Sequence, residues 1–126
     1  MPASLAPSDL ALLRDAEEVR IETTAGEGRP VHRTIIWVMV DALDRVLIRS
    51  FLGPSARWYR EVMAQPDCRL EVGNRMLNVR TVPATDAERV TACSDELRRK
   101  YAGHGSSLTG MLRDETLPTT LELLPR

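Results

Sequence analysis

The ten residues Val31-His32-Arg33-Thr34-Ile35-Ile36-Trp37-Val38-Met39-Val40 decide the fold. From Ile35 to Val40 the run is apolar and does not alternate. A strand that is apolar on both faces is covered on both faces. In an antiparallel sheet the cover is a helix, a second sheet layer or another subunit. Upstream, Val19, Ile21 and Thr23 alternate with Arg20 and Glu22, the period of a half-buried strand. Ala25-Gly26-Glu27-Gly28-Arg29-Pro30 joins the two strands as a hairpin with a wide tip. Downstream, Asp41-Ala42-Leu43-Asp44 turns the chain, and Arg45 to Phe51 returns as a third strand.

Further out, Gly53-Pro54-Ser55 breaks the sheet, and Ser55 is the expected N-cap of a helix from Ala56 to about Gln65, stopped by Pro66. Cys68–Val72 and Met76–Val82 flank Gly73-Asn74-Arg75 as a second hairpin, with Leu70, Val72, Leu77 and Val79 inward. Thr85 and Glu88 form a capping-box pair for a helix whose stripe is Val90, Cys93, Leu97 and Tyr101. Gly103 and Gly105 end it, a short helix starts at Ser106 or Ser107, and Thr119 to Leu124 is a sixth strand. At the other end, residues 1–7 read as a loose arm and Ser8 as the cap of a short helix bearing Leu10 and Leu13. The expected fold is mainly β, of the α+β class. Its six antiparallel strands close into a small barrel with flanking helices, in one domain spanning residues 1–126.

Composition narrows the function. Charged residues make up 28% of the chain, yet the net charge is −1 and the pI about 6.1. That argues against a nucleic-acid partner. No apolar run reaches the roughly 20 residues of a membrane span, and Met1 to Pro7 has neither the basic start nor the apolar core of a signal peptide. Cys68 and Cys93 stand far apart and read as reduced, buried thiols of a cytoplasmic protein. His32 and His104 stand alone, without metal-ligand spacing, so no metal site is expected. The glycines of Gly26-Glu27-Gly28 lie between strands, which excludes a dinucleotide loop.

One segment carries the features of a site: Arg49-Ser50-Phe51-Leu52-Gly53-Pro54-Ser55-Ala56-Arg57-Trp58-Tyr59-Arg60. A strand ends, Gly53 lets the backbone approach a ligand, and a helix begins. The first N–H groups of a helix lack partners and favour an anion. Arg57 sits there against the helix dipole, a penalty that a bound anion reverses. Arg49, Ser50 and Arg57 can converge on one phosphate, and the strand pairing brings Arg33 and Thr34 near Arg49-Ser50. The plainer alternative pairs Arg57 or Arg60 with Glu61, pairs Arg49 with Glu71 or Asp44, and leaves Trp58 and Tyr59 as core anchors.

The runs Arg33-Thr34-Ile35-Ile36-Trp37, Val46-Leu47-Ile48-Arg49-Ser50 and Arg57-Trp58-Tyr59-Arg60-Glu61-Val62-Met63-Ala64-Gln65-Pro66 resemble the split β-barrel flavin- and deazaflavin-dependent oxidoreductases. These include pyridoxamine phosphate oxidase-like proteins and deazaflavin-dependent nitroreductases. Trp58-Tyr59 and Ala64-Gln65-Pro66 match their strand-then-helix segment, and the likeness covers about Val19 to Arg89. The resemblance is to an uncharacterised family beside them. It implies a six-stranded split barrel, a homodimer with the cofactor ring between subunits, and FMN or the deazaflavin coenzyme F420 as cofactor. By matching positions it implies cofactor contacts at Arg33, Thr34, Arg49, Ser50, Arg57 and Trp58, with Ile35, Ile36 and Trp37 along the ring and Gly53 in the adjoining turn. The chemistry implied is hydride transfer to or from a small organic substrate, with the ring carrying the electrons. A cofactor carrier, a haem binder or a structural dimer module with the same fold are the alternatives.

Overall fold

The alternation read at Val19 is the structural fact from which the sheet is built. A computed structural model describes residues 5–126, so the first four residues of the expected arm lie outside the described residues. Helix α1 (Pro7–Asp15) already begins at Pro7, with Ala6 at its N-cap and Ser8 inside the helix. Strand β1 (Val19–Thr24) buries Val19, Ile21 and Thr23, and pairs antiparallel with β2 (Val31–Ile36) in the register Thr23 to His32, Ile21 to Thr34 and Val19 to Ile36.

The long apolar strand is interrupted, and the interruption shapes the molecule. After Ile36 the chain leaves β1, and Met39–Val40 (β3) pairs instead with β4 (Val46–Ile48). The full order is β2-β1-β5-β6-β7-β4-β3, with β5 (Asp67–Val72), β6 (Arg75–Pro83) and β7 (Leu121–Pro125). The two residues Trp37 and Val38 therefore carry the chain from one edge of the sheet to the other and curl it into a split barrel. Among the described residues this gives seven strands where six were expected.

The cause of the break lies on α3 (Ala87–Lys100) and just beyond it. The Tyr101 hydroxyl accepts the Val38 N–H at 3.3 Å and donates to the Glu17 carbonyl at 2.6 Å. Lys100 donates to the carbonyls of Val38 at 2.8 Å and Leu13 at 3.0 Å. Trp37 stacks on Tyr101 with ring centroids 4.0 Å apart. Backbone groups that a strand neighbour would have satisfied are met by side chains, so the step is not left with buried, unpaired polar groups.

Two apolar clusters result. Ile21, Ile36, Leu70, Val79 and Leu121 fill the barrel with Leu10 and Leu13 of α1 and Trp58 and Val62 of α2 (Arg57–Ala64). Met39 and Leu47 face outward onto Cys93, Leu97 and Tyr101, the stripe read from the sequence, and onto Met111 of α4 (Ser106–Met111). Met39 to Val40 is thus covered on both sides by its own chain. The second hairpin is tighter than expected, with Gly73-Asn74 as its whole turn and Gly73 at φ 59°. Both cysteines are free and buried, and burial pushes each thiol up to about 11.

Two helix starts and one strand start differ from the expectation. Asp86, not Thr85, caps α3 by accepting the Arg89 N–H at 3.1 Å, and Glu88 pairs with Arg45 at 2.6 Å. Ser55 belongs to a 3-10 turn, Gly53–Ser55, and its hydroxyl donates to the Leu52 carbonyl at 2.9 Å. Helix α2 therefore begins at Arg57 with Ala56 at its N-cap and no side-chain cap. Thr119 closes a 3-10 run, Asp114–Thr119, so the last strand begins two residues later than read. Among the described residues no helix is long and apolar enough to cross a membrane.

Burial, with Arg99 adding to it, lowers the Lys100 ammonium from its ordinary 10.5 to about 8. A depressed lysine holds its proton less tightly in the folded state, so the unfolded chain binds more protons between those values and stability rises with pH across that window. The stability of the wild type relative to Lys100→Met should therefore increase between pH 8 and pH 10.5. Urea midpoints of the two proteins measured in parallel check this, and a flat or falling difference refutes it.

Candidate functional site

A groove of about 430 Å³ opens where the two halves of the broken strand separate. One wall is Thr34, Ile35, Ile36 and Trp37; the opposite wall is Phe51, Leu52, Ala56, Arg57 and Trp58; Ser107 and Met111 of α4 close the far side, with Arg49 at the base. The expected approach of Thr34 to the segment after β4 is present, around this groove.

The structure sets apart two residues that were read together. Thr34 lines the groove; Arg33 is not in its lining, and its Nε meets Glu22 Oε2 at 3.1 Å. Ser50 and Gly53 also lie outside the groove lining. The buried Ser50 amide donates to Thr119 Oγ1 at 3.0 Å and its hydroxyl to the Gly53 carbonyl at 2.7 Å. Gly53 sits at φ 66°, and a Cβ there would lie 3.3 Å from the Glu115 carbonyl oxygen. These two residues build the turn that presents Phe51 and Leu52. The Phe51 ring in turn rests against Gly110, where any side chain would collide with it, and under the Arg113 guanidinium at 5.3 Å.

Arg49 is 1% exposed and, among the described residues, has no carboxylate partner. Neither Glu71 nor Asp44 pairs with it: Arg20 takes Glu71 and Arg14 takes Asp44. Its guanidinium donates to Thr120 Oγ1 (2.9 Å), Ser94 Oγ (3.0 Å), the Val90 carbonyl (3.0 Å) and the Met111 carbonyl (3.3 Å). Burial lowers its pKa from the ordinary arginine value. Four neutral acceptors hold a full positive charge in place, and together they tie the end of β4 to α3, α4 and the approach to β7.

Arg57 is the exposed cation of the groove, on the first residue of α2. With no side-chain cap, the opening N–H groups of that helix stay available to a ligand. Trp58, 6% exposed, braces the same end of the wall, edge-on to Tyr59. The groove thus couples an apolar slot to one cationic, N–H-rich end. Those residues fit a planar ring bearing an anionic tail.

Glu61 does not pair with Arg57 or Arg60. It is buried, accepts the Thr23 hydroxyl at 2.7 Å, and meets His32 Nδ1 at 3.0 and 3.2 Å. His32 was read as solitary because its partner lies 29 residues away on another element. The signal available was parity: Thr23 and His32 occupy inward positions on strands joined by one hairpin. His104 is not solitary either, lying edge-on to Trp37 with Nε2 3.1 Å from Glu17 Oε1. Among the described residues, no three His, Cys, Asp or Glu side chains converge as a metal site.

Three solved structures share this architecture. HutZ, the heme storage protein from Vibrio cholerae, has a TM-score of 0.65 at 11% identity, over 98% of this chain and 92% of that one. An F420-H2-dependent reductase, FDR-A, has 0.62 at 15%, over 85% and 93%. A putative pyridoxamine 5′-phosphate oxidase from Listeria innocua has 0.65 at 14%, over 94% and 91%. At these identities the likeness is one of fold, the split barrel that the three structures share. No curated protein sequence matches the chain. A family model described as "Uncharacterized protein conserved in bacteria (DUF2255)" matches residues 9–123.

Proposed function

The chain belongs to that bacterial family, DUF2255, and we propose that it is a flavin- or deazaflavin-dependent oxidoreductase acting on a small organic substrate. The observation that carries this reading is the two-part groove: apolar walls beside an uncapped helix start that bears Arg57. Residues Thr34 to Trp37 lie along the ring, and Trp58 braces it. Arg57 and the α2 N–H groups hold the phosphate. Arg49, Ser50 and Gly53 fix the base and the turn from within. Arg33, held by Glu22, enters the site only through a change of rotamer or partner. When bound, the ring supplies hydride chemistry; the protein supplies position, an apolar slot and the anion contact.

The groove rim supports a homodimer. Ile35, Phe51 and Leu52 are 53%, 46% and 65% exposed, a cluster of apolar surface at the mouth of one cavity. A second subunit laid over it buries that surface and encloses the ring.

Titration of FMN and of F420 with purified protein checks the proposal. Saturable quenching of one cofactor's fluorescence is expected. No quenching of either at high-micromolar protein overturns it. Haem binding without flavin or deazaflavin binding, read from the Soret band, favours a carrier over an oxidoreductase.

A further inference from the structure

Gly110 is a glycine that the backbone does not need. It lies within α4 at a helical, negative φ, where alanine is ordinarily the better residue. Yet a Cβ there would lie 2.4 Å from Phe51 Cε2 and 2.9 Å from Cζ, inside van der Waals contact. Space, not conformation, is what this glycine supplies. We propose that Gly110 sets the width of the groove: it seats the Phe51 ring on α4 and so decides whether the slot admits a fused ring system or only a single ring. The assignment rests on the groove being a ligand site, as read above, and not on which cofactor fills it.

The placement comes from both sides of the contact. Phe51, Ser107 and Met111 line the groove. Ser107 stands three residues before Gly110, on the same helix face, and Met111 follows it. The Phe51 ring therefore touches α4 on one side and the cavity on another, 46% exposed at the mouth.

The backbone on both sides of this contact is tied down. Arg113 Nη2 donates to the Phe51 carbonyl at 2.5 Å, and its Nε donates to the Gly110 carbonyl at 2.8 Å, so one side chain staples the two segments together. The same guanidinium lies over the Phe51 ring. Ahead of Phe51, the Ser50 amide is fixed on Thr119 Oγ1. Beyond Leu52, Gly53 packs on the Glu115 backbone. Arg49 holds α4 itself through the Met111 carbonyl at 3.3 Å. A methyl group on Gly110 cannot spread segments joined in this way. It is met by rotation of the Phe51 side chain, off α4 and across the slot. Gly110 is thus a positioning residue that acts through Phe51.

The test compares wild type, Gly110→Ala, Phe51→Leu and the double variant by isothermal titration. Two anions of different breadth serve as probes: the cofactor that binds in the fluorescence titration, a fused-ring molecule, and phenyl phosphate, a single ring. Gly110→Ala should weaken the fused-ring ligand about 10-fold, the scale of an overpacked contact. Phenyl phosphate should lose less than about twofold. The double variant should regain the fused-ring affinity of Phe51→Leu alone, because leucine leaves room for the new methyl group. The melting temperature of Gly110→Ala should stay within about 5 °C of wild type. Unchanged fused-ring affinity, absent or equally weakened phenyl phosphate binding, or no rescue by Phe51→Leu overturns the assignment. So does a Gly110→Ala chain that does not fold, since the clash then falls on the backbone and not on the ring. If neither FMN nor F420 binds the wild type, the cofactor reading falls, and 8-anilinonaphthalene-1-sulfonate, a fused-ring anion read by its own fluorescence, takes the cofactor's place in the same comparison. A wild type that binds no such dye overturns the width assignment as well.

Discussion

Arg49→Ala is expected to lower the unfolding free energy by about 3–5 kcal/mol, read from urea denaturation. The substitution takes a side chain of 1% exposure out of the interior and leaves a cavity. It also strips donors from Thr120, Ser94, Val90 and Met111, four partners on the elements that follow α2 in the chain. Arg49→Met should cost less, because it keeps most of the volume. A loss below about 1 kcal/mol for alanine would show that the four bonds are worth no more than an ordinary exposed contact. The same reasoning rules out Arg49→Ala as a clean probe of ligand binding, since the groove base goes with it.

Arg57→Glu is the clean probe. Arg57 is exposed, begins an uncapped helix and lines the groove. Reversing its charge there loses a charge-assisted bond and adds repulsion. Affinity for the phosphate-bearing cofactor should fall about 100-fold, equivalent to about 2.7 kcal/mol. Folding stability should hold or rise slightly, because an acid at a helix start is favoured by the dipole. Isothermal titration with the cofactor identified in the fluorescence assay, alongside a melting curve, separates the two effects. Unchanged affinity with an intact fold would place the phosphate away from α2.

The strands were legible wherever one face alone is buried, as at Val19, Ile21 and Thr23, because period two is a local signal. The interruption at Trp37-Val38 was not, because its cause is Tyr101, 63 residues downstream from Val38. The helix starts slipped by one residue for a related reason: Ser55 and Thr85 carry good capping side chains, but Ser55 spends its hydroxyl on Leu52, and the Asp86 carboxylate is the one that accepts the Arg89 N–H of α3. At the groove, Thr34, Arg57 and Trp58 followed from the end of a strand and the start of a helix. Arg33 lies outside the lining, turned to Glu22 across the β1–β2 pair, a partner that the run Arg33-Thr34 does not reveal. The setting of Arg49 was hidden because its partners are hydroxyls and carbonyls, which leave no charge pattern in a sequence. The contact of His32 with Glu61 was hidden because a hydrogen bond across two elements has no spacing to read.

The sheet order has a consequence for how the chain is made. β7, the last of the described strands in chain order, lies between β6 and β4 and is the hydrogen-bonded neighbour that joins β4 and β3 to the rest. The sheet therefore cannot be completed in the order of translation. The strands made before it, already sticky along one edge, wait for Leu121–Pro125 to arrive as the keystone between them.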